Sequence, residues 1–599
     1  MNTEHLHRYE ERANRYQSLS DSKKQQLKLI SAARLVSFVG IIPACYYLYP
    51  INSLLATTVS VLLLATFFVL IKKYIQTERQ LFFYQQLVKI NQDEIKALNR
   101  DLSPFDPGSE FTNAHHDYSY DLDLFGVGSM FQFLNRTVTF RGKQKLAAVL
   151  NQSQRTVSEI IERQHAIQEL AEDLDWRQNF MARGSETENS KNTDISEESI
   201  RRKVNLPAAK TLRILVRILP ALTIILIGLS IAKVDPYSFY KWVVLAQWII
   251  GGINMKSILK FHHQFENQGK LLNRYAAMMN LIEARDFKSE HLIALKKQLS
   301  SKGKSASIIT TEFRKILDEF DYTKNLAVGF ILDSLFLWDI RCVLKLYQWQ
   351  QNHADDLPQW FEVLAEMDAL VSLANSNFNH PNWVTPEITG DRFHFRAEQV
   401  GHPLIDETRC VRNSFQITGK EQIVIITGAN MAGKSTFLRT IGINLVLASN
   451  GCKVFAEKFE FSPVRIYTNM RTSDNLMNDE SYFYAELLRL QSMLNLIRAG
   501  ENLFVILDEM LKGTNSVDKL NGSKELLHQL VSLETHGIVA THDLGLTELS
   551  EKFSSIKNQC FEVQLNNDEL NFDYKLTNGV TRTMNATFLM KKMGIIPHE

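Results

Sequence analysis

The chain has 599 residues, enough for about four domains and a large core. Its formal net charge of +1 provides no bulk basic excess, so nucleic-acid binding would need a local patch. The five cysteines (Cys45, Cys342, Cys410, Cys452, Cys560) are scattered and odd in number, which argues against a disulfide framework and fits a reducing compartment.

Residues 1–30 are polar and carry Arg8, Arg12, Arg15, Lys23, Lys24 and Lys28, and read as a basic cytosolic tail. Two apolar runs follow, at about 31–49 and 51–71, separated by Pro50 and closed by Lys72 and Lys73. A run of about 20 apolar residues crosses a bilayer, and SLLATTVSVLLLATFFVLI carries no charge. The first run is weaker, because it contains Arg34 and Pro43. A late, doubled apolar region does not fit a secretory signal, so 31–72 is expected to be a transmembrane hairpin, with a pair of buried core helices as the alternative.

Residues 73–210 form a soluble first part of a helical core, interrupted at 184–198 by GSETENSKNTDISEE, a composition expected of a disordered linker. A second apolar pair at about 212–232 and 239–255 makes 211–256 a second transmembrane hairpin, with a buried helical hairpin as the alternative. Arg201, Arg202, Lys203, Lys210, Lys256 and Lys260 flank the pair, whereas its connecting loop has only Lys233. The positive-inside rule then leaves both termini and the segment between the hairpins on the cytoplasmic face of an inner membrane crossed several times.

From 257 to 389 the apolar residues recur with helical spacing, as in FRKILDEFDY and LFLWDIRCVLKLYQWQ, giving the second part of the helical core. Trp338, Trp349 and Trp360 are expected to be core aromatics rather than a binding surface. The pattern breaks around Pro381 and Pro386, and β-like runs open an α/β domain over 390–599. The expected architecture is a multidomain chain: a mainly α-helical core, transmembrane helical hairpins and a C-terminal α/β P-loop ATPase domain.

That last assignment rests on IVIITGANMAGKSTFLRT at 423–440. A buried strand leads to Gly428, Ala429, Asn430, Met431, Ala432, Gly433, Lys434, Ser435 and Thr436, then to a helix, the order in which backbone N–H groups surround phosphate oxygens. Lys434 is the point charge for the outer phosphates, and the Ser435 hydroxyl is placed to ligate magnesium. Downstream, the apolar run 503–507 closes on Asp508 and Glu509, one carboxylate to orient magnesium and one to position the attacking water. Lys512 to Asp518 is a polar loop, and a further strand over 537–541 ends at His542, placed to reach the γ-phosphate or the water. ATP and Mg2+ are the cofactors this set implies.

TGANMAGKST, SYFYAELLRL, LFVILDEMLKGTNSVD and ATHDLGLTEL, in this order, resemble the ATPase domain of the MutS family, the mismatch-repair branch of the ABC-type ATPases. The segment from Asp121 through Arg141 and on to Gln164 resembles the start of that family's helical core, and Gly401-His402-Pro403-Leu404 its upstream motif. The resemblance implies a homodimer in which Ser481 reaches across to the partner's nucleotide. It also has departures. Ala429 stands where the mismatch-repair enzymes usually have Pro, and Lys512 where they usually have Arg. Mismatch-reading and connector domains have no counterpart before Asp121, and neither does the Phe-x-Glu wedge. What resembles the family is the engine.

Two functions follow as expectations. The first is a membrane-anchored, MutS-like ATPase whose nucleotide cycle drives DNA binding in mismatch repair or recombination, using local basic residues such as Arg136, Arg141, Lys143 and Lys145. The second is a mechanical ABC-type ATPase acting on a protein or membrane partner without nucleic acid, favoured by the near-neutral charge.

Overall fold

Asn52 caps a helix that runs without interruption from Ser53 to Leu98, its side chain accepting from the backbone N–H groups of Leu54 and Leu55. No Gly or Pro lies within those 46 residues, so the helix that begins as an apolar run continues through a polar half and ends at Asn99 and Arg100. The computed structural model that shows this describes residues 3–185, 209–234, 237–265, 268–301, 303–324, 326–390, 393–420, 422–471, 482–566 and 569–582. Most of the expected linker at 184–198 lies outside them.

The chain divides into two compact units, one of residues Met1–Thr137, Lys143–Gln178 and Ala369–Glu599, the other of Val138–Gly142 and Asn179–Asp368. In the first unit, the helix Thr3–Val39 continues through a short π-helical turn at Ala44–Leu48 and lies antiparallel to Ser53–Leu98. Phe38 meets Phe67, the Arg34 guanidinium sits 4.8 Å from the Tyr74 ring centroid, and Tyr16 stacks on Tyr84. At the base of this pair, buried Glu94 accepts from Arg136 Nε at 2.5 Å and from the amides of Asn375 and Asn379, both at 2.9 Å. Tyr9 Oη donates to Asn379 Oδ1 at 2.8 Å, so both helices are keyed to the same polar cluster.

The described residues of the same unit form ten strands: β1 (Glu387–Ile388), β2 (Phe395–Val400), β3 (Asn413–Ile417), β4 (Ile423–Gly428), β5 (Lys458–Phe461), β6 (Arg465–Asn469), β7 (Leu503–Asp508), β8 (His536–Thr541), β9 (Ile556–Asn566) and β10 (Glu569–Asn578). They form a four-stranded sheet ordered β1-β5-β2-β3 and a six-stranded sheet ordered β10-β9-β4-β8-β7-β6. The larger sheet is parallel except for the β9–β10 pair. β4 and β7 are buried on both faces, which is why their sequences are continuous apolar runs rather than alternating ones. Ile423, Ile425, Val505, Leu507 and Val539 pack with Met493, Leu527 and Leu530 from helices Tyr482–Arg498 and Ser516–Ser532. On the opposite face, Gly442 of helix Lys434–Ser449 lies against Ile506, where a Cβ would meet the Ile506 Cδ1 at 3.3 Å.

The second unit is helical. Gln247 Nε2 donates to Thr223 Oγ1 at 2.7 Å and joins helix Tyr240–Phe265 to Ala209–Ile231. Phe313 stacks on Trp349 at 4.1 Å and meets Phe265 edge-on, and Trp360 is fully buried. The tryptophans are therefore structural: Trp349 Nε1 donates to the Ile309 carbonyl and Trp338 Nε1 to that of Glu319.

Among the described residues, four helices are long and apolar enough to cross a membrane by length and composition: Glu4–Leu48, Ser53–Leu98, Ala209–Ile231 and Tyr240–Phe261. At most 11% of each apolar window is buried inside the protein, so these segments are not buried core helices of the fold.

Candidate functional site

The register of the six-stranded sheet brings three chain segments to one edge. Thr541 of β8 pairs with Thr427 of β4, and Ala540 pairs with Asp508 of β7, so the residues following all three strands share the carboxyl end of the sheet. After β4 the chain turns through Ala429, Asn430, Met431 and Ala432 to Gly433, whose φ of 103° no side chain adopts comfortably. A Cβ there would also stand 3.1 Å from Tyr574 Cδ1, so this position needs glycine twice over. Helix Lys434–Ser449 starts immediately, with the N–H groups of its first turn aimed into the loop.

Lys434 is buried, and its Nζ donates to the carbonyls of Gly428 at 2.6 Å and Ala429 at 3.1 Å. Burial lowers the ammonium pKa, while Glu509 and Asp508 oppose that shift. Ser435 Oγ donates to Asp508 Oδ2 at 2.6 Å. Glu509 sits at φ 57°, its backbone N–H donating to the Ala540 carbonyl at 3.0 Å, a strained position that turns its side chain off the strand axis. Its Oε1 lies 2.9 Å from His542 Nδ1. Burial pushes the Glu509 carboxyl up, but the bond to His542 and the charges of His542, Lys512 and Lys519 outweigh it and leave the pKa below its ordinary value.

Thus Lys434, Ser435, Asp508, Glu509 and His542 converge as the sequence suggested, while Ser481 lies outside the described residues. Glu486 and Asp121 lie in segments that carry the family resemblance, but no local pattern singles them or Asn413 out as site residues. Glu486, buried on helix Tyr482–Arg498, accepts from the backbone N–H groups of Leu511 at 2.6 Å and Lys512 at 3.0 Å, and so fixes the loop that follows Glu509. Burial raises its pKa. Asn413 exchanges bonds with β10, accepting from Leu576 N and donating to the Tyr574 carbonyl, which holds Tyr574 against the glycine loop. Asp121 accepts from Thr468 Oγ1, Arg471 N and Arg489 Nη2, anchoring the residues after β6.

Beside the glycine loop lies a cavity of about 530 Å³, walled by Gly433, Lys434, Ser435, Glu509, Tyr574 and the loop from His402 to Val411. Its size is that of a small-molecule site. Among the described residues no cluster of three or more His, Cys, Asp or Glu side chains could cage a metal. Ser435 Oγ and Asp508 Oδ2 nevertheless place two hard oxygen donors side by side, which fits a magnesium ion that takes its remaining ligands from phosphate and water.

The basic residues expected to form a local patch are engaged within the fold. Arg136 is buried in its pair with Glu94, and Lys143 Nζ contacts Asp106 at 3.1 Å and Glu110. The Arg141 guanidinium lies 5.5 Å from the Phe361 ring centroid. The expectation of an accessible basic residue is corrected for Arg136, which is buried against Glu94.

The geometry defines a strand–glycine loop–helix with two carboxylates and a histidine opposite it, at the edge of a largely parallel sheet. The family model for MutS domain V matches residues 424–598, and that for MutS domain III matches 112–374. The chain belongs to the MutS family. It is 30% identical over 258 residues to the DNA mismatch repair protein MutS of Methanococcoides burtonii, a stretch covering 41% of this chain and 28% of that protein. It is 30% identical over 249 residues to the DNA mismatch repair protein MutS of Thermotoga sp. (41% and 31% covered), and 29% over 253 residues to MutS protein homolog 4 of Mus musculus (41% and 26%). The chain therefore spans less than a third of the length of these curated relatives.

Proposed function

We propose that this chain is a membrane-anchored P-loop ATPase of the ABC type that binds and hydrolyses ATP between two copies of itself, and that its nucleotide cycle serves DNA binding in mismatch repair or recombination. The observation that carries the reading is that Lys434, Ser435 and Glu509 wall one cavity at the sheet edge, with Asp508 bonded to Ser435 and His542 to Glu509. The names of the similar proteins support the DNA role, and the four apolar helices support the anchoring.

The glycine loop and first helical turn bind the phosphates through backbone N–H groups. Lys434, free to swing from the carbonyls it now bonds, neutralises charge on the outer phosphates. Magnesium, when bound, adds electrostatic stabilisation of the transferred group. Glu509, oriented by His542, aligns a water and takes up its proton. Ser481, from the partner copy, completes the second wall.

The test is Glu509→Gln in the full chain in detergent or vesicles. It should retain ATP binding and lose most turnover; undiminished hydrolysis would remove Glu509 from the mechanism. DNA binding is read by a salt titration on homoduplex and branched DNA, where phosphate contacts must show as a steep loss of affinity with salt. The internal engagement of Arg136 and Lys143 favours a second reading, a mechanical ATPase working on a protein or membrane partner. Absence of DNA binding even at low salt would select it.

A further inference from the structure

Helix Leu326–Phe336, LAVGFILDSLF, has Asp333 as its single ionisable side chain, and that carboxylate accepts locally from the Asp339 backbone N–H at 2.9 Å. Phe330 and Ile331 are 60% and 56% exposed, a costly display on so apolar a helix if it faced water. The chain sets out and comes back at one place. Helices Ala306–Asp321 and Trp338–His353 lie side by side, with Trp338 Nε1 donating to the Glu319 carbonyl at 2.8 Å and Lys345 Nζ to Glu319 Oε2 at 2.5 Å. Leu326–Phe336 is thus an out-and-back excursion from the tip of a helical pair.

The excursion lands on the second apolar hairpin. Trp248, within helix Tyr240–Phe265, donates from Nε1 to Ser334 Oγ at 2.9 Å, and its ring lies 5.2 Å from that of Phe330. The two hairpin helices carry further exposed apolar side chains, among them Ile218, Ile225, Ile249 and Ile253. The break in helical backbone at Leu337, φ 49°, is itself buried where the excursion returns to the helical pair.

We propose that Leu326–Phe336 is a re-entrant helix that places Phe330 and Ile331 in the acyl layer beside the second hairpin. The proposal rests on the membrane reading of that hairpin. At about 16 Å the helix cannot cross a hydrocarbon core of about 30 Å, so it enters and returns on one side. Lipid is the occupant because the exposed apolar side chains adjoin those of two helices that themselves have the length and composition of spans.

The test uses the full chain in phosphatidylcholine–phosphatidylglycerol vesicles, with exposed Cys45 replaced by Ser and a nitroxide attached at Ile331→Cys, Ile253→Cys or Lys315→Cys. Collision with oxygen, which partitions into lipid, is compared with collision with a water-soluble nickel chelate. The expected result is a severalfold higher oxygen-to-nickel ratio at 331 and 253 than at 315. Nickel access at 331 with lipid exposure at 253 overturns the re-entrant helix and leaves the hairpin standing. Nickel access at 253 removes the hairpin reading and the proposal with it. A probe at 331 that neither reagent reaches marks a contact with a second copy of the chain and also overturns the proposal.

Discussion

Arg100 Nη1 donates to the Pro403 carbonyl at 3.1 Å, and its Nη2 to that of Ile405 at 3.4 Å. Arg100 directly follows the long hairpin helix, and Ile405 and His402 wall the cavity beside Lys434. The end of the N-terminal hairpin is therefore bonded to the loop that shapes the candidate nucleotide site. Hydrogen bonds from a charged donor contribute about 1.5–3 kcal/mol each where buried, less here because Arg100 is partly exposed. Arg100→Ala should weaken binding of a fluorescent ATP analogue severalfold and leave turnover at saturating ATP nearly unchanged. Unaltered affinity would show that the bond from Leu404 N to His402 Nδ1 orders the loop without Arg100.

Ser435 and Asp508, 2.6 Å apart, are the oxygen pair assigned to magnesium. Asp508→Asn keeps a side-chain oxygen but removes the charge, so it should abolish the Mg2+-dependent part of nucleotide binding and leave the Mg2+-free part intact. A magnesium titration at fixed nucleotide reads this directly. If the Mg2+ dependence persists, the ion is held elsewhere.

Glu94 and Arg136 form a buried ion pair whose loss is asymmetric. Glu94→Ala leaves the Arg136 guanidinium buried without its carboxylate, a change that costs about 3–5 kcal/mol. The Arg136 bonds to the carbonyls of Phe133 and Asn135 put the expected loss at the lower end of that range. The melting temperature in detergent should fall markedly for Ala and less for Gln, whose single amide oxygen still accepts from one of Asn375 and Asn379.

Asp368 gives a pH signature. Burial pushes its carboxyl up to about 7, against bonds from Thr139 and Val138 that favour the charged form. The folded chain then keeps a proton that the unfolded chain releases near 3.8, so this residue's contribution to stability declines as pH rises from about 4 through about 7. Asp368→Asn does not titrate. Its melting temperature relative to wild type should improve between pH 5 and pH 8, whatever constant offset the substitution adds. A pH-independent difference would mean that Asp368 does not change protonation on unfolding in this range.

The arrangement at the sheet edge was legible because it is local. The glycine loop, the two carboxylates after β7 and the histidine after β8 each follow an apolar run in sequence, and parallel pairing aligns the three ends. Contacts distant in sequence were not legible. Nothing near Arg136 announces that its partner is Glu94, so a buried ion pair looked like a nucleic-acid patch. Tyr574 meets Gly433 only because β10 folds back along β9. The apolar run ending at 71 marked an apolar helix but not its continuation to Leu98, since a polar stretch without breakers carries no period-independent signal. LAVGFILDSLF carries no spanning signal, because eleven residues fall short of any spanning length.

Helix Ser53–Leu98 is about 69 Å long at 1.5 Å per residue, more than twice the thickness of a hydrocarbon core of about 30 Å. On the membrane reading, over half of it stands clear of the lipid as a stiff rod clamped near Glu94. A tilt of about 10° at that clamp sweeps a far end about 60 Å away through about 10 Å. Rearrangements of an ångström or two beside the glycine loop would thus reach the bilayer geared up several-fold, as lateral strokes rather than local shifts.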